Sequence, residues 1–159
     1  MKRIGAAAFV LCVGSVGSIA LGSAGAGAAS VSVKVSPSTN LVNGQSVTIS
    51  GKGLVNSYHG KAQTWFVTEC TSAVQGHLNP STDTPHCDIN HAIALKVGHN
   101  GSATAHYHVL AGIVGDGYCG TAGHLTCVIG VGTAQGLGTV IHITFKNATP
   151  ATSGATTTG

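Results

Sequence analysis

Between Val31 and Phe145 the apolar residues recur with period two, in short runs cut by glycine, proline, asparagine and serine. Val31, Val33 and Val35 alternate with polar residues, and Val47 and Ile49 do the same between Ser46 and Gly51. Gln63 to Cys70 carries Trp65, Phe66 and Val67, and His91 to Val97 carries Ile93, Leu95 and Val97. Ala103 to Val109 puts Ala105 and Tyr107 on one parity; Cys127 to Val131 and Val140 to Phe145 close the series. On a strand, residues two apart share a face, so each run offers one apolar face to a core. No run in this span keeps a helical period over a useful length. Seven or eight short strands in 115 residues predict an all-β sandwich or barrel. Asn43-Gly44 reads as a turn, and Asn100-Gly101 as a hairpin turn between its flanking strands.

The first residues have a different character. Met1-Lys2-Arg3 is basic, Ile4 to Leu21 is apolar, and small residues follow to Ala28. That order predicts a signal peptide over residues 1–28, cleaved after Ala28, and a secreted, extracellular mature chain with no membrane attachment. An uncleaved anchor is the alternative, and the glycines within the apolar run count against it. Lys2 and Arg3 leave with the leader. Five basic residues then face Glu69, Asp83, Asp88 and Asp116, a net charge of +1 with histidines neutral. With no basic patch, direct nucleic-acid binding has no electrostatic support.

Cys12 also leaves with the leader, and Cys70, Cys87, Cys119 and Cys127 remain. An even number of cysteines in a small secreted domain reads as two disulfides. Three pairings are open, and the sequence-local one, Cys70–Cys87 with Cys119–Cys127, is the simplest. The first would close a loop of 16 residues. Zinc is the competing reading, but neither pair has Cys-x-x-Cys spacing.

Nine histidines lie in the mature chain. His106 and His108 share a strand face that should point outward, a spacing able to ligate zinc or copper. A third ligand is missing, because His142 should lie on the opposite sheet. His77, His86, Asp88 and His91 could gather near the long loop. The simpler reading is that histidine supplies surface polarity in a chain short of charge, and no metal site or cofactor is expected. Catalysis has no support: there is no Gly-x-Ser-x-Gly elbow and no paired carboxylates, so an enzyme is not expected. Gly130 to Gly138 reads as a loop between strands. Residues 147–159, rich in threonine with no large apolar residue, read as a disordered tail.

Val35-Ser-Pro-Ser-Thr, Gly44-Gln-Ser-Val and Ser50-Gly-Lys-Gly-Leu54 follow one another in the order found in the neocarzinostatin family. Asn100-Gly-Ser-Ala103 after Cys87, Cys127-Val-Ile-Gly-Val, and Val140-Ile-His-Ile-Thr-Phe145 continue the match. The mature domain, residues 29–146, thus resembles that family of small secreted actinobacterial proteins. The resemblance implies a seven-stranded immunoglobulin-like β-sandwich with two disulfides and an extra β-ribbon. It also implies a cleft that holds an enediyne antibiotic chromophore without a covalent bond, touching DNA only through that cargo.

The family's cleft is floored by the first disulfide and walled by aromatics, and here the chain departs from it. Ala92 and Ser72 stand where the family has phenylalanine and tryptophan, and Val128 where it has a polar residue. Only 18 residues separate Asn100 from Cys119, so most of the ribbon is expected to be missing. The residues expected to meet a ligand are Trp65, Cys70, Cys87, Ala92, Tyr118, Val128 and Gly132. The expected function is binding of a small apolar or aromatic molecule by a monomer, as an antimicrobial carrier. The alternative is an extracellular structural or adhesion module that kept the sandwich and lost the cleft.

Overall fold

The structure is a computed structural model and describes residues 31–146. The expected leader, residues 1–28, and the expected tail, residues 147–159, lie outside the described residues. A sandwich of two antiparallel sheets forms the body. One sheet has three strands, in the order β1 (Ser32–Ser36), β2 (Ser46–Lys52), β7 (Ala103–His108). The other has four, in the order β11 (Gly138–Thr144), β10 (Thr126–Thr133), β5 (Trp65–Thr71), β6 (Ile93–Leu95). Two ribbons complete the fold: β3 (Ser57–Tyr58) with β4 (Lys61–Ala62), and β8 (Gly112–Val114) with β9 (Gly117–Cys119).

The described strand count is therefore eleven rather than seven. The two main sheets account for seven; the ribbons were hidden because two- and three-residue strands carry no readable alternation. The β8–β9 ribbon, most of which was expected to be missing, is present in short form. It survives as three residues a side, pairing Gly112 with Cys119 and Val114 with Gly117. The Asn100-Gly101 turn forms, with Gly101 N–H donating to Gly98 O, but it is not a hairpin. Its flanking strands β6 and β7 enter different sheets. Gly101 has φ 72°, and a Cβ there would stand 2.9 Å from Leu54 O, so this crossing needs glycine.

The period-two pattern places the core as expected. Val35, Val47, Ile49 and Tyr107 from the first sheet meet Trp65, Val67, Ile129, Val131 and Ile143 from the second. Leu41 and Phe145, paired by a single bridge, join the core beside β11. Both disulfides form in the sequence-local pairing, Cys70–Cys87 and Cys119–Cys127. Between Cys70 and Cys87 the loop holds a four-residue helix, α1 (Pro80–Asp83), capped by Asn79. Two short 3₁₀ turns follow, Thr84–His86 and Ile89–His91. Among the described residues no helix is long and apolar enough to cross a membrane.

Candidate ligand-binding cleft

The alternation of β5 decides what each of its residues can do. Trp65, Val67 and Glu69 point into the sandwich; Phe66, Thr68 and Cys70 point away from it. Cys70 binds Cys87 on this outer face, tying both ends of the long loop to the sheet. The loop then folds back over its neighbour strands. Cys70, Val74, Cys87 and Val128 form a small second core beneath it, with Leu78 and Val140 packed against them. Leu78 reaches over β10 because the outward positions there are glycines. A Cβ on Gly130 would stand 3.0 Å from Leu78 Cδ1, and one on Gly132 would stand 3.1 Å from Cδ2. The bare strip is thus filled by a side chain from the loop.

The ribbon holds the other end of the loop. Asp116 N–H donates to Pro85 O at 2.8 Å, and His86 Nδ1 meets Asp116 Oδ1 at 2.7 Å. Gly115, with φ 55°, lies so close that a Cβ would overlap the Pro85 carbonyl and the Cys87 backbone. The shortened ribbon therefore braces the loop.

Between loop and sheet lies an open cleft of about 370 Å³, within the range of small-molecule sites. Phe66 and Thr68 come from β5, Gly132 and Thr133 from β10, and Leu78, Pro80, Thr84, Cys87, Ile89 and Ala92 from the loop and its exit. Among the described residues no ionisable side chain lines it. Phe66 is 38% exposed and opposes Gly132 across the strand pair, so nothing from β10 stands beside its ring.

Of the residues expected at a ligand, Cys87, Ala92 and Gly132 line this cleft. Cys70 and Val128 lie fully buried in the packing under the loop. Trp65 is a correction. It is fully buried in the main core, with Nε1 donating to Val55 O at 2.9 Å. Tyr118 is another: it sits on the ribbon, ring to ring with His124 at 6.0 Å, and does not line the cleft. The Cys119–Cys127 bridge is likewise on the core side of the sheet. Phe66, Thr68, Leu78, Ile89 and Thr133 were missed. Parity could have found the first two. Once Cys70 is set on the cleft face, the second and fourth residues before it must join it.

The core side holds a further residue that sequence reasoning passed over. Glu69, the one glutamate of the chain, is fully buried. Its Oε2 accepts from Leu110 N–H at 2.7 Å, and its Oε1 has no partner among the described residues. Burial raises its pKa to about 8; the Leu110 bond opposes this and Asp88 nearby adds to it. Tyr107 accepts the Glu69 N–H at 3.2 Å, and burial pushes its phenol up as well. The Cys119 and Cys127 sulfurs lie within 4.8 Å of the carboxylate. They are bonded to one another and so offer no thiolate to a metal.

The histidines stay outside. Eight are exposed and His86 is half-buried. His106 and His108 point outward from β7, His142 outward from the other sheet, and His91 bonds Asp88 rather than His86. His91, His106 and His108 border a separate shallow groove at the sandwich edge.

Fold and cleft together define a class: a disulfide-bonded, immunoglobulin-like β-sandwich with an apolar cleft on one sheet face. A family model for the neocarzinostatin family matches residues 33–157, and the chain belongs to that family. Among solved structures, macromomycin is 26% identical over 73% of this chain and 99% of its own, with a TM-score of 0.53. The solution structure of apokedarcidin is 25% identical over 74% of this chain and 99% of its own, with a TM-score of 0.48. A search of curated proteins found no match.

Proposed function

We propose that this protein is a secreted, monomeric carrier that holds a small apolar or aromatic molecule, of the enediyne antibiotic type, in the cleft beside Cys70–Cys87. The observation that carries the reading is the charge-free cleft walled by Phe66, Leu78 and Ile89. Membership of the neocarzinostatin family supports it, as does the fold shared with macromomycin. Burying apolar rings stabilises a complex by about 25 cal/mol for each Å² removed from water. An uncharged lining asks for no compensating charge on the ligand. The protein acts by shielding its cargo, not by catalysis, and reaches DNA only through that cargo. Cys87, Ala92 and Gly132 contact the ligand, and Cys70 and Val128 support the wall from below.

Native and denaturing mass spectrometry of the protein from its native culture medium test this. A discrete mass that is present natively and lost on denaturation is expected. A bare mass in both, with no uptake of added neutral aromatics, overturns the carrier reading in favour of a structural module.

A further inference from the structure

The loop inside the Cys70–Cys87 bridge is tied to itself more than to the sheet beneath it. Among the described residues, every hydrogen bond made by residues 75–83 stays within residues 75–84. His77 N–H donates to Gln75 O, Thr82 N–H and Asp83 N–H donate to Asn79 O, and Asn79 N–H donates to Asp83 Oδ2. Thr84 Oγ1 turns back to Pro80 O. The segment is a self-contained capped turn, fixed at its ends. Val74 is fully buried at one end, and Asp116 N–H holds Pro85 O at the other. Between them Leu78 is the one large apolar side chain. It lies on three glycines of β10 and β11. Cβ atoms on Gly130, Gly132 and Gly138 would stand 3.0, 3.1 and 3.3 Å from it. Leu78 is only half-buried there, so its seat is worth a fraction of a core leucine.

We propose that residues 75–84 form a lid latched by Leu78, and that Leu78 sets the size of molecule the cleft takes. The size selection rests on the carrier reading and names its specificity-determining residue. With the latch seated, Leu78 fills the glycine strip, and a small ring system has the room beside Phe66. With the latch lifted, the cleft extends over Gly130, Gly132 and Gly138, where the strands present no side chain. A larger neutral ring system binds only the lifted form. Its apparent affinity falls by the fraction of protein in that form, whereas a small ligand is indifferent to it. The Cys70–Cys87 bridge and the Asp116–Pro85 bond keep the ends of the lid in place in both forms.

Proteinase K digestion of the ligand-free protein tests the latch without any ligand. A cut within the lid leaves the chain joined by Cys70–Cys87, so its mass rises by one water until reduction releases two pieces. Cleavage follows the population of the open form. Leu78→Ala should therefore be cut in the lid about tenfold faster than wild type, the worth of one half-buried leucine. Leu78→Met keeps an apolar reach and should restore slow cutting. Gln75→Ala, exposed on the same lid, should change nothing. Equilibrium dialysis with 2-naphthol and the larger neutral phenol 1-hydroxypyrene tests the size selection. Leu78→Ala should bind 1-hydroxypyrene about tenfold more tightly than wild type does, and should change 2-naphthol binding by less than about threefold. Unchanged cutting of Leu78→Ala overturns the latch, and so do faster cuts spread along the whole chain, which would mark global unfolding. Faster lid cutting with equal shifts for both phenols, or with no gain for the larger, overturns the size selection alone. If neither phenol binds either protein, the carrier reading falls and the size selection with it, while the cutting rates still decide the lid.

Discussion

The two faces of the four-stranded sheet reverse the usual distribution of polarity. The inner face, sealed in the sandwich, holds Glu69 beside the Cys119–Cys127 bridge. The outer face, beside solvent, holds the Cys70–Cys87 bridge and a cleft without a charge. A carboxyl among apolar side chains is held in its protonated form by lack of solvation. A surface cleft kept free of charge leaves its apolar walls available to a ligand. The two disulfides accordingly do different work: one ties a loop over the sheet to make a wall, and the other closes the core beside a buried acid.

The strongest way to break the comparison is Trp65→Ala. Because this ring belongs to the inner face, its loss should cost about 3–5 kcal/mol in urea unfolding. A change confined to ligand binding would return Trp65 to the cleft.

Removing the bridges separately comes next. Cys70→Ala with Cys87→Ala, sequence separation 17, should cost about 3 kcal/mol and abolish uptake of neutral aromatics as the loop wall comes free. Cys119→Ala with Cys127→Ala, separation 8, should cost about 2.5 kcal/mol by the same loop entropy and leave uptake in place. Equal losses of uptake would show that the two faces are not independent.

Glu69 sharpens the comparison through pH. Its folded pKa, about 8, lies above its ordinary 4.5, so the folded state holds the proton more tightly. Its contribution to stability is therefore full below pH 4.5, declines as pH rises toward about 8, and is lost above that. Each pH unit within the window is worth up to about 1.4 kcal/mol. Glu69→Gln keeps an acceptor for Leu110 and cannot ionise. The difference between wild-type and Glu69→Gln unfolding midpoints should grow across that window, and a constant difference would place the carboxylate in a solvated site.

The smallest effect on stability is expected at Phe66. Phe66→Ala should change unfolding by no more than about 1 kcal/mol, since the ring is partly exposed. It should nevertheless weaken 2-naphthol binding about fivefold through lost ring contact. Unchanged binding would move the ligand off this face.

Much of this was written in local pattern. Val35, Val47, Ile49, Ile129 and Ile143 face the core because strand parity leaves them no other choice, and the disulfide pairing followed sequence neighbourhood. The ordered motifs from Val35 to Phe145 placed the chain in its family. Tertiary structure decided the rest. Which of Trp65 and Phe66 faces inward depends on where Cys70 meets Cys87, a contact across the chain. Leu78 is unremarkable in a polar loop until it lies on Gly130 and Gly132. Glu69 looks like a surface residue until β5 is enclosed. Parity along a strand is a local property of the backbone, whereas a cleft and a buried acid exist only when segments distant in sequence exclude water together.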